Sequence, residues 1–140
     1  MFSIALFSVL TQASALLLAG IFLGAGLSKL NPENAEYYRE AIANYGITPR
    51  LWSARLVGLI GALELGIAVL IILPRSQFLS LIVAAVVLSV YAYAFIKIIR
   101  EGRSDIDCGC AGPGGKVTVG RGLVVRNVIL IVLALVAAFV

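Results

Sequence analysis

The chain has 140 residues, of which 61% are hydrophobic and 13% are charged. Soluble globular domains carry charges at roughly a quarter of their positions, and disordered chains are poor in apolar residues, so both classes are excluded. The two cysteines are too few for a disulfide-dense secreted miniprotein. Histidine is absent, which excludes histidine-ligated haem, most catalytic zinc sites and Ser-His or Cys-His dyads. The composition indicates a small integral membrane protein.

The net charge of +4 does not indicate nucleic-acid binding, because the basic residues flank apolar runs as they do in membrane proteins.

Four apolar segments predict membrane-spanning helices. A helix needs about 20 apolar residues to cross the hydrocarbon core, and the chain offers runs at 4–30, 54–73, 78–99 and 121–140. We expect helices because backbone groups in lipid must be paired within their own segment, and the runs lack the alternation of barrel strands. The first run has no basic region before it, so we expect a retained span. The sequence predicts an all-α, four-helix transmembrane domain over residues 1–140.

The connections between the runs differ in character. The sequence Asn31-Pro32-Glu33 is typical of the start of a helix, with a cap residue followed by a proline and an acidic residue in the first turn. It predicts a short amphipathic interfacial helix from Glu33 to Tyr45, ended by Gly46. The four residues Pro74-Arg75-Ser76-Gln77 predict a tight hairpin between the second and third runs. The last connection, residues 100–120, contains both cysteines.

Small residues recur every four positions in the first two runs. The series are Gly20, Gly24 and Ser28 in the first and Ala54, Gly58, Ala62 and Gly66 in the second. Such stripes allow helix backbones to approach closely in lipid. The alternative is that they reflect only how common glycine and alanine are in membrane helices.

The Cys108-Gly109-Cys110 motif is the candidate catalytic centre. A disulfide across one glycine needs a sharp backbone bend, which Gly109 permits. So small a ring is expected to be strained and easily reduced, which favours thiol–disulfide exchange and a possible thiol-disulfide oxidoreductase over a structural role. Two alternatives stay open, namely inert reduced thiols and a soft-metal site for an ion such as Cu(I).

Polar residues inside the runs form a second candidate site, assigned to cofactor binding. Its members are Glu64, Tyr91, Arg126 and Asn127. Together with Tyr93 and Lys29 they are expected to form one polar cluster beneath the cysteine loop, with Glu64 bonded to Arg126 or a tyrosine hydroxyl. A carboxylate within the bilayer is costly unless it is paired, hydrated or protonated. The functional interpretation is a proton site or a quinone-binding site coupled to the thiols, with quinone as the cofactor. The structural interpretation is polar contact between helices. Lys29 by itself predicts an anchor that reaches the interface.

Several of these motifs together resemble the DoxX and methylamine-utilisation MauE superfamily. They include Gly26-Leu27-Ser28-Lys29-Leu30, Tyr45-Gly46-Ile47-Thr48-Pro49, Gly61-Ala62-Leu63-Glu64-Leu65-Gly66, Asp107-Cys108-Gly109-Cys110 and Arg126-Asn127. The resemblance implies a four-helix, redox-associated protein of a bacterial or archaeal cytoplasmic membrane. It implies that Cys108 and Cys110 are the redox pair and that a thioredoxin-like protein is the partner. Ala111 departs from the family pattern, in which an aromatic residue follows the second cysteine.

The side of the membrane on which the cysteines lie is left open. Nine basic residues stand in or beside the two long connections and one, Arg75, on the opposite side, so the positive-inside rule favours a cytoplasmic cysteine loop. The resemblance also implies a MauE-like role in the maturation of a disulfide-rich dehydrogenase subunit. Because that enzyme is exported, this role favours the outer face. The leading hypothesis is a membrane thiol–disulfide relay. The alternatives are an accessory subunit of a larger membrane complex, and a soft-metal binding or transport protein.

Overall fold

A computed structural model describes residues 1–45, 50–102 and 120–139 of the chain, and every element within these ranges is helical. The elements are α1 (Phe2–Leu30), a short 3-10 turn (Pro32–Asn34), α2 (Ala35–Asn44), α3 (Arg50–Ile72), α4 (Gln77–Arg100) and α5 (Arg121–Phe139). Helices α1, α3, α4 and α5 are each long and apolar enough to cross a membrane. The prediction of an all-α, four-helix membrane protein with a short amphipathic helix after the first span is confirmed.

The helix boundaries follow local signals. Asn31 caps the 3-10 turn, as predicted, because its Oδ1 accepts a hydrogen bond from the Glu33 backbone N–H at 3.1 Å. The hairpin between α3 and α4 is tight, and the Ser76 backbone N–H bonds the Leu73 carbonyl. Helix α3 begins at Arg50, before the predicted start of the second span, whereas Gly46, the predicted end of the amphipathic helix, lies outside the described residues.

The helices pack as two antiparallel pairs. Helix α1 lies along α3 and α4 lies along α5, and these contacts are more extensive than those between the two pairs. The main apolar core is made by all four helices and includes Leu18, Phe22, Ile71, Leu81 and Leu130. A smaller cluster of Phe95, Ile98 and Leu123 lies between α4 and α5, near the end of the bundle that carries the long connections. The outer faces are apolar, which suits contact with lipid.

The predicted small-residue stripes do not mark the closest helix contacts. A Cβ atom added at Gly20, Gly24, Gly58 or Gly66 would meet no atom within 4 Å. The close approach of α1 to α3 occurs instead at Gly26 and Gly61, outside both predicted series. The prediction that small residues allow two helices to approach closely is confirmed, but the glycines to which it assigned the contact are wrong.

Candidate functional site

Glu64 is the one buried charged side chain in the described part of the chain. It lies on α3 and is 1% exposed. Its Oε2 atom accepts a hydrogen bond from Nζ of Lys29, at the end of α1, at 2.9 Å. Burial removes the Glu64 carboxylate from water, and the resulting cost is offset only when an opposite charge is close and well oriented. The Lys29 side chain supplies that charge and keeps 17% of its surface exposed. The interpretation of Lys29 as an interfacial anchor is therefore wrong, and the prediction that it belongs to one polar cluster with Glu64 is confirmed.

Tyr91 completes the hydrogen bonding of the carboxylate. Its hydroxyl, on α4, donates to Oε1 of Glu64. The two carboxylate oxygens are thus held by groups from two different helices, and Glu64 joins α1, α3 and α4. The prediction that a tyrosine hydroxyl bonds Glu64 is confirmed for Tyr91, whereas Tyr93 is 69% exposed on the outer surface.

Two glycines bring the charged residues together. An added Cβ at Gly26 would lie 2.8 Å from the Gly61 carbonyl oxygen and 2.9 Å from the Leu65 backbone nitrogen. These distances are shorter than any real contact permits, so only glycine allows α1 to approach α3 this closely. Gly26 precedes Lys29, and Gly61 precedes Glu64, by three residues, about one helical turn. The contact between backbones therefore sets the distance between the charges.

The contact between Gly26 and Gly61 was not predicted from the sequence. The available signal was the pair of segments Gly26-Leu27-Ser28-Lys29 and Gly61-Ala62-Leu63-Glu64. In each segment a glycine stands one turn before a charged residue in an otherwise apolar helix. The four-residue spacing of the other glycines predicted instead that a different helix face makes the close contact.

Asn127 lies on α5 and is 1% exposed. Its amide Nδ2 donates to the Leu88 carbonyl oxygen of α4 across 3.4 Å, while its Oδ1 has no hydrogen-bond partner among the described residues. A buried carbonyl without a partner is costly. Asn127 is thus a buried polar group whose hydrogen bonding is only half satisfied.

Lys29, Glu64, Tyr91 and Asn127 occupy corresponding positions in the four spanning helices, and we refer to them as the polar layer. Glu64, Tyr91 and Asn127 each stand one turn from a member of the main apolar core, on the side toward the long connections, and the neighbouring core residues are Ile67, Leu88 and Leu130. Lys29 stands two turns beyond Phe22, the nearest core residue of α1. On α4 and α5 the smaller cluster follows one turn further on, at Phe95 and Leu123. The polar layer is therefore flanked by apolar packing on both sides in this half of the bundle, which lowers the local dielectric and strengthens interactions between its charges.

Helix α2 covers the end of the polar layer. Tyr38, 4% exposed, shares a hydrogen bond with the Ser28 hydroxyl at 2.6 Å, and the Lys29 Nζ lies 5.4 Å from the centre of its ring. Asn34 donates to the Ser28 carbonyl at 3.0 Å. These contacts fix the amphipathic helix over the end of α1, so its apolar face shields the Lys29–Glu64 pair.

Of the remaining predicted residues, Arg126 is described and is not part of this arrangement. Arg126 is exposed on α5 and forms no ion pair with any described residue, so the predicted Glu64–Arg126 bond is wrong. Cys108 and Cys110, and with them Ala111, lie outside the described residues. Within the described ranges, no three acidic or cysteine side chains come together in a way that could hold a metal ion.

The chain matches the family model described as methylamine utilisation protein MauE over residues 7–140. It is 33% identical over 126 residues to the methylamine utilization protein MauE of Paracoccus denitrificans, a match that covers 90% of this chain and 67% of the relative. The MauE proteins of Paracoccus versutus and Methylophilus methylotrophus are 31% and 29% identical, with 86% and 91% of this chain covered and 64% and 66% of theirs. The chain therefore spans about two thirds of the length of these curated relatives.

No solved structure matches the chain. The family match nevertheless extends over nearly all of the sequence and includes every residue of the polar layer. Together with the four apolar helices, it establishes a multi-pass membrane protein that belongs to the MauE family.

Proposed function

We propose that this chain is an accessory protein of methylamine utilisation in a bacterial inner membrane, and that it relays electrons between thiols and disulfides. The proposal is carried by the position of Cys108-Gly109-Cys110 in the chain. The motif lies in the segment that joins α4 to α5, the two helices that supply Tyr91 and Asn127 to the polar layer. The family to which the chain belongs supports the role in methylamine utilisation.

The proposed exchange is a two-step transfer between Cys108, Cys110 and a dithiol of a thioredoxin-like partner. A partner thiolate attacks one sulfur of the Cys108–Cys110 disulfide, so that an intermolecular disulfide forms and the other cysteine leaves as a thiolate. The second partner thiol then breaks the intermolecular bond. Two electrons and two protons pass to this chain, which becomes the dithiol while the partner becomes the disulfide. The reverse steps reduce the partner.

The polar layer is proposed to manage the protons of this exchange. Lys29, Glu64 and Tyr91 are dissociable groups joined by two consecutive hydrogen bonds. A proton leaving one of them has an acceptor within hydrogen-bond distance. A membrane quinone, which takes up two electrons and two protons on becoming the quinol, is the proposed electron carrier on the membrane side. Its oxidation of the dithiol, or the reverse reaction, completes the cycle.

The test is capture of the mixed disulfide. The variants Cys108→Ser and Cys110→Ser each retain one thiol, whose thiolate can attack the disulfide of an oxidised partner so that one partner sulfur leaves as a thiolate. The variant that retains the sulfur used in the intermolecular disulfide is expected to accumulate this covalent complex, because no second cysteine of this chain can release the partner, and reductant dissolves it. The double variant Cys108→Ser/Cys110→Ser is the control and should capture nothing. Absence of any reductant-sensitive complex from both single variants, with growth on methylamine unchanged, would contradict the relay and favour an accessory subunit.

Labelling of intact cells with a membrane-impermeant maleimide, before and after reductant, measures the side of the membrane and the redox state together. A relay requires labelling that increases after reduction when the loop faces the outside. For a cytoplasmic loop, the same increase appears only after the cells are opened. Thiols that react equally with and without reductant in every preparation would show that no disulfide forms.

A further inference from the structure

A second feature lies at the opposite end of the bundle from the polar layer. The first half of α1, the turn between α3 and α4, the start of α4 and the end of α5 enclose a cleft of about 620 Å³. This volume lies within the range of small-molecule sites, about 300–1,000 Å³. No residue that lines the cleft is charged.

The polar residues at the start of α1 lie along this cleft. The first 13 residues contain four of them, Ser3, Ser8, Thr11 and Gln12, and all four line the cleft. The other positions in this stretch are apolar. A helix segment surrounded by water would carry polar residues on every side, so this distribution indicates that one face has a polar neighbour and the rest faces hydrocarbon.

Two amides meet across the cleft. The Gln77 Nε2 of α4 donates to the Gln12 Oε1 of α1 at 3.5 Å. Among the described residues neither side chain forms another hydrogen bond. One amide therefore retains N–H groups that can donate, and the other retains a carbonyl that can accept. In a membrane such groups favour a ligand that offers both kinds of partner.

We propose that the cleft binds an uncharged lipid whose oxygen-bearing head forms hydrogen bonds with the free amide N–H of Gln12 and the free amide carbonyl of Gln77. The apolar remainder of the lipid passes Phe7 and Phe78, which line the same cleft, and continues into the bilayer. An uncharged head fits because the lining supplies hydrogen bonds and no compensating charge. A diacylglycerol and a quinol share this chemistry, since each carries a hydroxyl that donates and oxygen atoms that accept. The proposal does not depend on the thiol relay, since it rests on residues at the other end of the helices.

Photolabelling in phosphatidylcholine nanodiscs tests the proposal. The full-length protein is exposed in separate samples to a diazirine-bearing diacylglycerol, a diazirine-bearing quinol kept reduced and a diazirine-bearing phosphatidylglycerol, and the labelled peptides are identified by mass spectrometry. We expect one of the two uncharged lipids to label residues 3–12 or 77–81, and the one that does so identifies the source. Phosphatidylglycerol is expected to label this cleft no more than other parts of the surface.

The variants separate the cleft from the general lipid surface. Gln12→Leu/Gln77→Leu should lower the labelling about tenfold, the effect of losing hydrogen bonds worth about 1.4 kcal/mol in total. Arg75→Gln, in the neighbouring turn, and Ser89→Ala, in the separate groove between α4 and α5, should leave it unchanged. The single variant Gln77→Leu serves if the double variant does not fold. The proposal would be overturned if labelling did not change in the glutamine variants, or if it were lost in Arg75→Gln. Labelling as strong with phosphatidylglycerol would also overturn it, as would absence of labelling by both uncharged lipids.

Discussion

Lys29 and Glu64 are 35 residues apart in the sequence, and their charged atoms lie 2.9 Å apart between α1 and α3. A pair of this kind adds less to stability than its distance suggests, because burial of two charges costs nearly as much as their attraction returns. Its value lies in specificity, since only one register of α1 against α3 brings the two groups together.

Removal of one charge should be far more harmful than removal of both. Lys29→Met leaves Glu64 buried without its counter-charge and should lower the free energy of unfolding by about 3 kcal/mol. Lys29→Met/Glu64→Leu removes both charges and should recover most of that loss. Reversible unfolding in mixed detergent micelles measures the three proteins. A double variant no more stable than Lys29→Met would show that the charges do not compensate each other.

The glycine contact predicts a position-dependent effect of alanine. At Gly26 an added methyl group would meet backbone atoms of α3 at 2.8 and 2.9 Å, so Gly26→Ala should cost about 1–3 kcal/mol by forcing the helices apart. Gly24→Ala is the matched control, because nothing lies within 4 Å of its added Cβ. The same unfolding assay compares them. Equal stability of the two variants would place the helix contact elsewhere.

Tyr91 and Tyr93 form a natural matched pair on α4. Tyr91→Phe removes the hydrogen bond to the Glu64 carboxylate and should cost about 2 kcal/mol, as is typical for a bond to a charged group. Tyr93→Phe alters an exposed hydroxyl and should change stability by less than about 0.5 kcal/mol. If the polar layer conducts protons for the relay, Tyr91→Phe should also slow thiol exchange at a temperature where both variants are folded. Equal exchange rates would restrict Tyr91 to a structural role.

Asn127 should be nearly dispensable for folding. Asn127→Leu loses a single hydrogen bond of 3.4 Å and removes a carbonyl that has no partner among the described residues. These effects oppose each other, so stability should change by less than about 1 kcal/mol. Thermal unfolding monitored by circular dichroism measures the change. A loss as large as that of Lys29→Met would mean that Oδ1 has an important partner.

The contact between α2 and α1 predicts local effects on hydrogen exchange. Tyr38→Phe and Ser28→Ala each remove the hydroxyl–hydroxyl bond of 2.6 Å, and each should weaken the docking of α2 by about 1 kcal/mol. Amide exchange in residues 35–44 should become about fivefold faster in both variants, whereas exchange in α4 should not change. Acceleration spread evenly over α2 and α4 would indicate global destabilisation in place of local release.

The helices themselves could be predicted because their causes are local. An apolar run of sufficient length must form a helix in lipid to pair its own backbone groups, and the cap at Asn31 acts on the next two residues. The Glu64–Tyr91 bond was accessible in outline, since a buried carboxylate requires a donor and few donors exist in the spans. The ion pair between Glu64 and Lys29 could not be predicted as such, because a lysine that reaches the interface and a lysine that pairs with a buried carboxylate look the same in sequence.

The number of spans, their helical form, the amphipathic α2 and the membership in the MauE family were determined by the sequence alone. The tertiary structure decided how the helices are rotated and shifted against one another. That choice placed Gly26 against Gly61 and left Gly20 and Gly24 without close neighbours, and it turned Arg126 outward while burying Asn127. The physical reason is that several small-residue registers are sterically open to a pair of apolar helices. Only the combined packing and polar contacts of all four spans select one of them.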